Sequence, residues 1–85
     1  MKKQLFTYYI LLPGDTEENI SDANILGEES THNNFWPGDG LVALNNILNQ
    51  RPDMLEHITI IRSDRKVITV EKFLNDIKKF KFVKK

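Results

Sequence analysis

Four stretches of the chain carry side chains that do chemistry in other settings. They are the acidic run DTEENISD (15–22), the stretch HNNFWPGDG (32–40), the lone His57, and the lysine-rich end KKFKFVKK (78–85). Asp15, Glu17 and Asn19 alternate as the first ligands of a calcium loop do. Such a loop needs glycine at its sixth position and a bidentate glutamate at its twelfth, and here those are Ile20 and Leu26. The run therefore reads as a solvated acidic loop, and no metal is expected. PGDG opens a helix, whose free amides attract anions. Asp39 already supplies an anion there, no Lys or Arg lies within ten residues, and no G-x-x-x-x-G-K-[ST] pattern is present. A phosphate cradle is not expected. His32 and Asp39 have the composition of a general-base pair, but His57 is far away in sequence and no serine sits in a G-x-S-x-G turn. The expectation is a protein with no catalytic residues and no cofactor.

Phe35 and Trp36 point to a different kind of chemistry. Aromatic residues dominate interface hot spots, and Pro37-Gly38 would hold the pair fairly rigidly. Two placements are open: an exposed recognition loop, or a Trp36 folded over the end of the core that anchors the loop to the next helix. Phe35 is the better candidate for the interior. Together with Asp15, Glu17, Glu18, Glu28 and Glu29, the pair forms the candidate partner-binding set, facing a basic or apolar patch on a protein.

The formal net charge of zero conceals a division. Gln4 to Gln50 contains no Lys or Arg and carries a charge of −7, residues 51–85 carry +5, and Lys2 and Lys3 add +2. Lys78, Lys79, Lys81, Lys84 and Lys85, interleaved with Phe80 and Phe82, have the make-up of a nucleic-acid contact, with lysines on phosphates and aromatics on bases. A solubilising terminus explains the same residues, and Phe80 also fits the apolar stripe of a helix. Segregated charge on a neutral chain further suggests salt-dependent self-association.

These residues need a scaffold. Eighty-five residues make a single small domain (1–85) with a thin core, burying roughly 60% of its unfolded surface. The absence of cysteine leaves no disulfide framework and leans towards a cytoplasmic setting. LFTYYILL (5–12), ended by Pro13-Gly14, reads as a buried strand rather than a signal peptide, and no segment approaches a membrane span. ANILGEE (23–29) reads as a short returning strand, with Gly27 marking a bulge or the strand end. Leu41, Leu44, Ile47 and Leu48 form a helical stripe that Asp39 would N-cap and Pro52 would stop. Ile58–Arg62 and Lys66–Val70 flank the turn residues Ser63-Asp64-Arg65. Val70, Phe73, Leu74, Ile77 and Phe80 stripe a second helix capped by Thr69. Residues 81–85 read as a frayed basic tail or a short terminal strand. The expected fold is α+β: a small antiparallel sheet, elements in the order ββαββα, with two helices packed on one face.

The layout NILGEES, then NNFWPGDGLVALNNIL, a hairpin and VEKFLNDIKK resembles small uncharacterised proteins encoded by large tailed bacteriophages. The resemblance covers residues 24–79. It implies an accessory protein that acts on a host or phage component in the host cytoplasm, and it brings no catalytic or binding residues with it. The expected function is thus a non-enzymatic protein-interaction module, with nucleic-acid binding through the C-terminal lysines as the alternative.

Overall fold

The computed structural model describes residues 4–83. Its strands are β1 (Gln4–Leu11), β2 (Ile25–Ser30), β3 (Asn34–Pro37), β4 (Thr59–Arg62), β5 (Val67–Ile68) and β6 (Lys81–Phe82). The helices are α1 (Asp39–Gln50) and α2 (Val70–Ile77), and short 3-10 turns fill the connections. The strands form one sheet in the order β5-β4-β1-β2-β3-β6. Every pairing is antiparallel except β3 with β6, which is parallel. The α+β class is as expected, but the sheet is larger and mixed, and the order is βββαββαβ. The expected order lacked β3, inside the aromatic stretch; of the two readings of the terminus the short strand forms, as β6, and just after it Val83 N–H donates to Phe35 O at 2.9 Å. Residues 81–83 are therefore built onto the sheet, whereas Lys84 and Lys85 lie outside the described residues.

Strand alternation sends even-numbered β1 residues to the helix side, where Tyr8 and Ile10 meet Phe35, Ile60 and Ile68. Leu41 and Leu44 of α1 and Val70 and Phe73 of α2 close the same cluster. Both stripes read from the sequence are thus the faces that pack. Two irregularities tune the register. An extra residue, Leu26, stands opposite the Tyr8–Tyr9 step and reaches full burial, and a second register shift falls between Gln4 and Phe6. Gly27 lies beside the first irregularity, and a Cβ there would overlap the Phe35 ring. Glycine is needed at this point so that Phe35 can lie flat on β2.

The α1 N-terminus differs from expectation. The N-cap is Gly38, Asp39 is the first helical residue, and no side chain caps the helix. Gly38 N–H donates to Leu26 O at 3.0 Å, which pins the chain so close to β2 that a Cβ would strike Ile25 O. Asp39 is displaced one position inward and still complements the helix dipole. Thr69 does cap α2, its Oγ1 accepting from Lys72 N–H at 3.1 Å.

Both sheet edges are two-residue strands, β5 beside Lys66 and β6 with its own Lys81. No described helix is long and apolar enough to cross a membrane.

Candidate functional site

Residues 12–24 form the acidic loop read from the sequence, with Glu17, Glu18 and Asp22 exposed, and hydrogen bonds tie it down. Asp15 Oδ2 accepts from Leu12 N–H at 3.1 Å and from Asn24 Nδ2 at 3.2 Å, and Asn24 Nδ2 also donates to Ile10 O at 2.7 Å. Asn19 and Asn24 each accept from the backbone three residues earlier, Thr16 N–H and Ser21 N–H. These bonds place Asp22 against the start of β2. Gly38 and Gly40 let α1 begin in contact with the same backbone, at Asn24 and Ile25. Between them opens a concavity of about 380 Å³, lined by Asp22, Ile25, Glu28, Trp36, Pro37, Gly38 and Asp39. Three carboxylates surround an apolar wall there, and no Lys, Arg or His is among these lining residues. Such a site suits a cationic side chain with an aliphatic stem.

The candidate set read from the sequence is divided by this geometry. Phe35 is fully buried on the helix side, and Trp36 is only 6% exposed on the opposite face, beside Glu28 in the ladder. Neither ring forms an exposed recognition loop, and Trp36 does not cover the end of the helical core either. It backs the second face of the sheet, so that only its edge reaches the concavity. The reason is strand β3: adjacent residues of a strand must face opposite ways. The same rule separates Glu28 from Glu29. Glu28 lines the concavity, whereas Glu29 turns to the helix side and accepts from Tyr8 Oη at 2.8 Å. Asp15 is committed to the loop, and Glu17 and Glu18 are exposed on it.

A polar group unrecognised in the sequence closes the other end of the sheet. Arg62 donates through Nε and Nη2 to both oxygens of Asp64, at 2.9 and 2.6 Å, and its guanidinium lies 4.0 Å from the Phe6 ring centroid. These two bonds hold the Asp64 carboxyl down at about 2 and raise Arg62. Burial, with help from Glu29, pushes the Tyr8 phenol up to about 12. The sequence signal was the pair Arg62 and Asp64 at the turn; its meaning depended on β1 lying alongside.

Lys78, Lys79 and Lys81 are exposed at the end of α2 and on β6, and Phe82 beside them is 49% exposed. Phe80 instead stacks on Phe35, centroids 5.2 Å apart and planes 5° from parallel. His32 precedes β3 and Asp39 follows it, so a strand separates the two at opposite ends of the sheet. They do not form the general-base pair that their composition would have allowed. His57 is exposed next to Glu56, 3.5 Å away.

No family model, curated protein or solved structure matches the chain.

Proposed function

We propose that the chain is a non-enzymatic protein-interaction module that holds a basic segment of a protein partner at the acidic concavity. The observation that carries this is the ring of Asp22, Glu28 and Asp39 around Ile25, Pro37 and the edge of Trp36. A lysine or arginine entering it would lay its stem on the apolar wall and its charge among the carboxylates. Charged complementarity of this kind sets on-rate and specificity more than raw affinity, which fits a weak, reversible contact. With the resemblance over residues 24–79, the module is an accessory protein acting on a host or phage protein. Trp36 has a supporting part here, as the wall, and the carboxylates do the selecting.

The test is titration of an isotope-labelled chain with a lysine- and arginine-rich peptide. The indole N–H of Trp36 and the amide of Gly38 should shift, and Asp22→Asn/Asp39→Asn should weaken binding about tenfold, as loss of roughly 1.4 kcal/mol does. Shifts that are absent, or unchanged in the double variant, would remove the proposal.

The second reading is nucleic-acid binding through Lys78, Lys79 and Lys81. Its support is the half-exposed Phe82 standing beside Lys81 on the sheet edge. It requires affinity for DNA or RNA that falls steeply with salt. A chain that fails to retard either at low ionic strength is not a nucleic-acid binder.

A further inference from the structure

The strand directions turn a division along the sequence into a division in space. β1 and β3 run one way, β2 and β4 the other, and β5 and β6 run with β1. The loop after β1 and the start of α1 therefore share one end of the sheet, with Glu18, Asp22 and Asp39. The start of β6 lies at the opposite end, with Lys78, Lys79 and Lys81, whereas the β4–β5 turn stops beside the middle of β1, where Arg62 and Arg65 line one hollow with Glu17. The acids nearest these lysines are engaged, Asp76 by Lys72 and Glu29 by the Tyr8 hydroxyl.

The two poles act as separate charges. The molecule measures 39 × 27 × 21 Å, and even its shortest extent exceeds the screening length of ~8 Å at physiological salt. The total charge is zero, so two copies meet without net repulsion. We infer that one partner of the acidic pole is a second copy of this chain, bound head to tail through its basic pole. This rests on the reading of the acidic concavity given above and names an occupant for it. Because donor and acceptor surfaces differ, each bound copy leaves one pole open, and the contact propagates unless rotation closes a ring.

Sedimentation of the full chain tests this across concentration and salt. At low salt the average mass should climb above 9.9 kDa as concentration rises, and return to that of the monomer near ~1 M salt, where screening acts within ~3 Å. Two variants with exposed substitutions each disable one pole: Asp22→Asn/Asp39→Asn, and Lys78→Gln/Lys79→Gln/Lys81→Gln. Each alone should remain monomeric, and their mixture should stop at a dimer, one intact pole meeting the other. A wild-type chain that is monomeric at every salt, growth that salt does not reverse, or a mixture that passes beyond two chains would overturn the inference. The peptide titration separates the two ideas. If the peptide binds and the chain stays monomeric, only self-association fails; if neither occurs, both fail.

Discussion

Trp36 shows how little a residue's type says about its job. Its neighbours Pro37 and Gly38 suit an interface anchor, yet the residue is only 6% exposed, on the face away from the helices. Trp36→Ala should therefore act as a core truncation, costing about 3–5 kcal/mol in chemical denaturation. A change under 1 kcal/mol would mean that the indole is not supporting the second face. Tyr8 makes a different prediction. Burial and the hydrogen bond it donates to Glu29 hold its phenol neutral up to about pH 12, whereas an unfolded tyrosine ionises near 10. Between those values the unfolded chain releases a proton that the folded chain keeps. The contribution is complete below pH 10 and is lost as pH rises through 12. Tyr8→Phe should cost about 1 kcal/mol at neutral pH, and its stability gap to wild type should shrink across that alkaline window. A gap that stays constant would show that Tyr8 does not govern the decline.

Gly27 and Phe35 carry the argument at the level of strands. The β2–β3 pairing brings the Phe35 ring onto a position with no side chain, and Gly27→Ala would force the ring or the strand aside. Overpacking of this sort costs about 1–3 kcal/mol. The variant should lower the denaturation midpoint and alter the near-ultraviolet signal of the aromatic cluster that Phe35 shares with Tyr8, Phe73 and Phe80. An unchanged near-ultraviolet signal would show that the ring does not depend on the gap. The elements with a clear period were legible in the sequence: β1, α1, the β4–β5 hairpin and α2 with its Thr69 cap. β3 was hidden because four residues ending in proline show no period, and one of its two aromatic rings serves each face. β6 was ambiguous because Lys81 and Phe82 gain a strand's hydrogen bonds only from β3, a partner far away in sequence. The acidic concavity was half legible. Asp22 and Asp39 were visible as acids, but their meeting depends on Gly38 and Gly40 letting a helix start against a loop.

Across the whole molecule, protection should follow the sheet order. β1 lies inside the sheet, paired along most of its length, whereas β5 and β6 close the ends with two residues each. Amide exchange should be slowest at Tyr8, Tyr9 and Ile10 and fast at Val67 and Phe82, because local opening at an edge exposes little apolar surface. Equal protection at Ile10 and Val67 would indicate that the sheet opens only as a unit. The short edges also bear on the fate of the chain at high concentration. A growing amyloid fibre needs a long, flat strand whose register it can copy, and neither margin of this sheet provides one. Assembly that does occur is steered towards the ends of the strands, where charge decides and salt dissolves it. Such a protein can be crowded without being committed to an irreversible aggregate.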